Sequence, residues 1–263
     1  MVDVSKAVGR LSDRRMLEEM SWPQVKAALD AGQRTVVSAA GSMEQHGPHL
    51  PLQTDTLLGT TLVAAIVERL PGVFQGPTIP FGVSEHHMPF AGTITLDTEA
   101  FKTVVRQYAE SLASHGFETI VIVPSHGGNF GPLRELEDEL GGKAGSARFI
   151  AYHDLMAFMG PMNEVAARDG ITPNVAGAHA GEAETSLVLA ARDDLVVMEH
   201  AEEGFVGEFN ANAVSAIFEK GMIALTSNGI LGDARPATAE RGIAYRDAMA
   251  DFLADWIRER IPG

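Results

Sequence analysis

Thr119-Ile120-Val121-Ile122-Val123-Pro124, running directly into Ser125-His126-Gly127-Gly128-Asn129, is the stretch from which the fold is read. An unbroken apolar, β-branched run with no polar alternation suits a strand buried on both faces, as in a parallel sheet covered by helices on either side. Parallel strands need crossovers, and both flanks supply them. Upstream, Asp97-Thr98 caps a helix with Phe101, Val104, Val105, Tyr108 and Leu112 on its apolar face, ended by Gly116. Downstream, Leu133, Leu136 and Leu140 mark a helix that leads to a second strand over 147–152 and delivers His153-Asp154.

Working toward the N-terminus, Leu57, Leu58, Leu62, Val63, Ile66 and Leu70 recur at helical spacing and stop at Pro71-Gly72. Before them, Thr35–Ala40 reads as a buried strand, and Ser21 caps a helix with Pro23 in its first turn that ends near Gly32. Residues 73–81 predict a Pro-interrupted strand, and 93–96 an extended segment. From about Pro236, Ile243, Met249, Phe252, Leu253, Trp256 and Ile257 form the apolar face of a long closing helix. The alternation predicts an α/β fold with a mainly parallel central sheet and helices on both faces. Without a repeat or linker, residues 1–263 are expected to form one domain, with 1–20 as an N-terminal arm.

Composition narrows the function. A formal net charge of −15 and no basic cluster argue against nucleic acid and membrane surfaces as partners. Neither an apolar leader nor a run of roughly 18 apolar residues occurs, so a cytoplasmic location is expected. Cysteine is absent, which removes disulfides, thiolate nucleophiles and thiolate ligands; a metal here must rest on His, Asp and Glu.

Such residues follow the strand ends, where open α/β sheets bind their ligands. Glu44-Gln45-His46-Gly47-Pro48-His49 follows the first strand, and Asp55 lies at a helix N-terminus, where the anion that can bridge two cations is favoured. His126 is followed by Gly127 and Gly128, whose N–H groups form an oxyanion site at the mouth of the next helix. His179-Ala180-Gly181-Glu182-Ala183-Glu184 presents an imidazole and a carboxylate, with Glu184 either an acid/base group or a further ligand and Glu182 a solvated or capping acid. In an extended Ser84-Glu85-His86-His87 segment, neighbouring side chains point oppositely, so one histidine, His87, is expected to face the substrate. His153 is a weaker cleft residue, and Asn228-Gly229 reads as a turn without a catalytic part. No Gly-x-Ser-x-Gly elbow occurs, so metal-assisted hydrolysis is favoured over a serine triad, with Zn²⁺, Mn²⁺ or Fe²⁺ and, through a shared Asp55, two ions.

The segments Gly41-Ser42-Met43-Glu44-Gln45-His46-Gly47-Pro48-His49 with Asp55, Phe90-Ala91-Gly92-Thr93, His126-Gly127-Gly128-Asn129 and His179-Ala180-Gly181-Glu182-Ala183-Glu184-Thr185-Ser186 resemble the creatininase (creatinine amidohydrolase) family, over roughly Trp22 to Gly242. The resemblance implies a three-layer α/β/α sandwich, a binuclear metal centre and a homohexamer acting on a small molecule. It places Glu44, Asp55 and His126 on one metal and His46 with the bridging Asp55 on the other, with Glu184 completing the site. His179 takes the acid/base position and Ser84 a substrate-contacting one. Two departures count against creatininase proper. Gly128 stands where that enzyme carries a glutamate ligand, and Val175 and Ala176 stand where tryptophans flank its substrate. The function expected is hydrolysis of a small cyclic amide or related C–N bond. The alternatives are lactone hydrolysis, trimming of a peptide precursor, and, from another class, a non-catalytic metal-binding scaffold.

Overall fold

The computed structural model describes residues 16–208 and 210–261. Five strands, β1 (Thr35–Ala40), β2 (Val73–Gln75), β3 (Thr119–Pro124), β4 (Lys143–Ala144) and β5 (Ala147–Ala151), form one sheet in the order β2-β1-β3-β5-β4. All neighbours pair in parallel except the two-residue β4, which runs antiparallel to β5. The described helices are α1 (Trp22–Asp30), α2 (Thr54–Glu68), α3 (Thr98–Ser114), α4 (Phe130–Leu140), α5 (Leu155–Arg168), α6 (Pro173–Ala176), α7 (Glu182–Arg192), α8 (Ala211–Lys220) and α9 (Ala239–Arg258).

Alternation along the strands builds the layers. Val37, Ala39, Val121 and Val123 pack with α2, α9 and Phe158 of α5, whereas Val36, Ala40, Ile120 and Ile122 pack with α1, α3 and α4. The result is the three-layer α/β/α sandwich. In register, Val36 lies opposite Ile120 and Val37 opposite Val121, and all four are fully buried. At about 1.5–3 kcal/mol for each such side chain, β1 and β3 are the most firmly held part of the chain, and their C-terminal ends carry the site.

Local signals set the helix ends. Ser21 and Gln24 form a capping box, the Asp97 carboxylate accepts the Ala100 N–H at 2.7 Å, and Gly141 at φ 58° closes α4. Tyr245, Met249, Leu253 and Ile257 form the buried stripe of α9, while Ile243, expected on that face, is 45% exposed because it falls two residues, about half a turn, off the four-residue spacing. The strand expected over 73–81 shortens to Val73–Gln75, with Ile79 bridging to Ala40, and the extended 93–96 segment keeps one bridge, Ile94 to Met43. Two helices beyond the periodicities drawn above, α5 and α8, begin at side-chain caps, Asp154 and Asn210. Of the N-terminal arm, residues 1–15 lie outside the described residues; Leu17 and Met20 pack on the α1/α3/α4 layer. No described helix is long and apolar enough to cross a membrane.

Candidate metal centre

Beyond β1 the chain crosses the sheet end and carries Glu44 and His46, both 0% exposed, to Asp55 at the second position of α2. Asn129 ties this crossing to the loop after β3: its amide donates to the Ala40 and Gly41 carbonyls at 3.0 Å each and accepts the Val83 N–H at 3.0 Å. His126 follows β3, His87 comes from the Glu85–His87 turn, and His179 and Glu184 flank the start of α7. Carboxylates this deeply buried need a cationic or hydrogen-bonding partner.

The Asp55 carboxylate divides between two imidazoles, Oδ1 lying 3.2 Å from His46 Nε2 and Oδ2 3.2 Å from His126 Nδ1. Glu44 Oε1 lies 3.2 Å from both His126 Nδ1 and His87 Nε2. Glu184 Oε2 is 3.8 Å from His46 Nε2 and accepts the N–H of Ala180 at 2.5 Å; Ala180 at φ 52° is the one described non-glycine residue in the left-handed region.

The outer faces of two rings decide where their protons sit. His126 Nε2 donates to the Val83 carbonyl at 3.0 Å, and His46 Nδ1 to the Glu44 carbonyl at 3.1 Å. A carbonyl only accepts, so each neutral ring aims a bare nitrogen at carboxylates, an arrangement that repels unless a cation lies between. Glu44 Oε1 and Asp55 Oδ2 are buried and form no hydrogen bond. Two ligands each about 2.1 Å from one ion, at tetrahedral to octahedral angles, stand about 3.0–3.4 Å apart, the separation seen here. The donor set therefore fits divalent metal. Glu44/Asp55/His126, His46/Asp55/Glu184 and Glu44/His46/His179 each bring three donor atoms within 4.8 Å of one another, and Asp55 belongs to the first two.

Electrostatics express the same demand for positive charge. Burial opposes protonation of His46, but Asp55, Glu184 and Glu44 outweigh it and lift the ring to about 9; His126 rises above its ordinary value against burial through Glu44 and Asp55. Burial also opposes ionisation of Glu44 and Asp55, yet the neighbouring histidines hold both well below the usual carboxylate range. Burial raises Glu184 to about 7. His179 and His87 move down, chiefly by burial, and stay neutral.

Beside this cluster opens a cavity of about 120 Å³, bordered on its polar side by Glu44, His86, His87, His126, Gly127, Gly128 and His179. Ser84, expected against substrate, does not line it. Its hydroxyl is fully buried, 2.5 Å from Ser42 Oγ and 3.3 Å from His126 Nε2, so it lies behind the His126 ring. Residues 85–87 form a 3-10 turn rather than an extended segment, and both His86 and His87 reach the cavity, their rings 4.3 Å apart. His153 stays away, half-exposed, 3.5 Å from Glu137. Glu182 is fully buried rather than solvated or capping, binding Arg241 Nε, Tyr245 Oη and Ser186 Oγ at 2.6, 2.6 and 2.7 Å.

Gln45 had no part in the sequence reading. Its side-chain oxygen accepts the Gly47 N–H, and its nitrogen lies 2.9 Å from His87 Nδ1, 3.0 Å from His179 Nε2 and 3.2 Å from the Gly229 carbonyl. The Asn228-Gly229 turn thus supports the site: a Cβ at Gly229 would stand 1.9 Å from Gln45 Oε1. Lying between Glu44 and His46 was the only signal for Gln45.

Comparison with known proteins gives one family. The creatininase profile, described as creatinine amidohydrolase, matches residues 18–257. A mycofactocin precursor peptide peptidase of Mycobacterium ulcerans is 31% identical over 92% of this chain and 88% of its own. A creatinine amidohydrolase of Pseudomonas putida is 26% identical over 93% of this chain and 96% of its own. Among solved structures, a creatininase variant of Zn–Zn type superposes with a TM-score of 0.78 at 24% identity, covering 96% of this chain and 100% of that one.

Proposed function

The chain belongs to the creatininase family of amidohydrolases, and from that premise we propose that it is a metal-dependent hydrolase of a peptide-type amide, holding two divalent ions between β1, β3 and α7. The observation that carries this reading is the Asp55 carboxylate, one oxygen toward His46 and the other toward His126. Glu44, Asp55 and His126 would hold one ion, and His46, Asp55 and Glu184 the other. Divalent metal supplies the Lewis acidity that lowers the pKa of a water and polarises the scissile carbonyl.

The remaining work falls to the chain's own groups. His179 is oriented by its Nε2, which donates to the Gln45 carbonyl at 2.8 Å; its Nδ1, 3.8 Å from Glu44 Oε1, is the acid/base atom. His87, held at Nδ1 by the Gln45 amide, carries its proton on Nε2 beside Glu44, where this neutral ring would donate a hydrogen bond that orients a substrate oxygen. The Gly127 and Gly128 N–H groups open a helical turn with no acceptor upstream and serve a developing oxyanion.

Peptide trimming moves ahead of the small cyclic amide placed first above. The likeness to a peptide peptidase at 31% identity supports it, as does the lack of tryptophan in the cavity lining. Elemental analysis with Asp55→Asn tests the proposal: about two ions per chain are expected, falling below one in the variant. Full metal content in Asp55→Asn, or no turnover of any short peptide by Zn²⁺-, Mn²⁺- or Fe²⁺-loaded protein, would refute it.

A further inference from the structure

Resting on the amide-hydrolase reading, we propose that the substrate carries an uncharged apolar group, of branched-aliphatic to phenyl size, selected by α5 and α8. Facing the His/carboxylate cluster, the cavity wall consists of Leu155 and Met159 of α5, Ile217 and Phe218 of α8, and Met222 and Leu231. Neither lysine nor arginine lines it, while Glu44 does. A carboxylate set against the α5 and α8 side would lose its water and meet no cationic side chain there. The volume, about 120 Å³, is close to the roughly 150 Å³ of an apolar cavity that takes benzene.

The mouth is also apolar and incompletely covered. Phe218 is 64% exposed although its ring sits 5.0 Å from His86, and Leu155, which lines the same cavity, is 36% exposed. Large apolar side chains left open around a cleft gain buried area when an apolar group arrives. His86 belongs to the same wall, its ring stacked on His126 with centroids 5.7 Å apart. An apolar group held there lies next to the cluster, so its amide is delivered to the reacting end.

Isosteric amides test this by binding alone. Isovaleramide and malonamide share a shape and differ in two methyls against a second amide, so calorimetric titration of the metal-loaded chain should favour isovaleramide by about tenfold or more. Benzamide should bind comparably to isovaleramide. Leu155→Arg and Phe218→Ser, both at exposed positions, should bring the ratio close to one. Malonamide binding as tightly as isovaleramide, no binding of either apolar amide, or an unchanged ratio in both variants overturns the proposal. Turnover of peptides bearing leucine or the isosteric asparagine separates it from the reading beneath. Binding preference without hydrolysis sustains the pocket and removes the hydrolase, whereas hydrolysis without preference does the reverse.

Discussion

Gly128→Ala, with Gly127→Ala as its control, probes the site through one methyl group. A Cβ at Gly128 would stand 2.1 Å from the Val83 carbonyl oxygen and 2.5 Å from His126 Nε2, whereas one at Gly127 meets nothing within 4 Å. Ordinary contact is about 3.5 Å, so the Val83 carbonyl must withdraw by more than about 1 Å, which removes the acceptor that turns His126 Nδ1 inward. Overpacking of this kind costs about 1–3 kcal/mol, a fall of roughly 2–12 °C in Tm for a chain of this size. Loss of an outer hydrogen bond to a ligating imidazole weakens metal binding about 10–100-fold. Thermal unfolding and elemental analysis after dialysis against a metal buffer measure both. Gly128→Glu, which restores the carboxylate of creatininase proper, meets the same carbonyl and is expected to lose metal rather than gain it. Wild-type metal affinity and Tm in Gly128→Ala, or equal damage in Gly127→Ala, would refute the reasoning.

Arg241→Met should cost about 3–5 kcal/mol in urea unfolding, because the fully buried Glu182 carboxylate would lose the guanidinium 2.6 Å away. Adding Glu182→Gln should recover part of that loss; a cost under about 1 kcal/mol for the single variant would show that the pair is not structural. His49, buried against Thr185 Oγ1 at 2.8 Å, is depressed from 6.5 to about 4, first by burial and then by His46. The unfolded chain then takes up a proton that the folded chain refuses. His49 therefore adds stability fully present above pH 6.5 and lost as pH falls toward 4, at up to about 1.4 kcal/mol per unit. His49→Gln should flatten the pH dependence of urea stability over that window, and an identical slope in the variant would exclude His49 as its source.

Much of the fold is legible along the chain because it is local or periodic. Apolar runs such as Thr119–Pro124, caps such as Asp97, and stripes such as Leu62/Ile66 report burial and helix ends without reference to distant residues. Glu44, His46, Asp55 and His126 were legible as candidates because charged groups after strand ends have few structural uses, and their motifs resemble one family. Side-chain direction was not. Whether Ser84 meets substrate or backs His126, whether His86 joins His87, and whether Glu182 is solvated depend on which segment packs opposite.

Residue order and type thus determined the α/β alternation, the absence of thiolate chemistry and the identity of the candidate donors. Tertiary structure alone decided how those donors pair. It divided Asp55 between two imidazoles, used the Val83 and Glu44 carbonyls to turn the ring nitrogens inward, set Gln45 between His87 and His179, and placed α5 and α8 across the cavity. Hydrogen bonds and close contacts between segments of this site as much as 184 residues apart, the separation of Gln45 and Gly229, have no periodicity for a sequence to display.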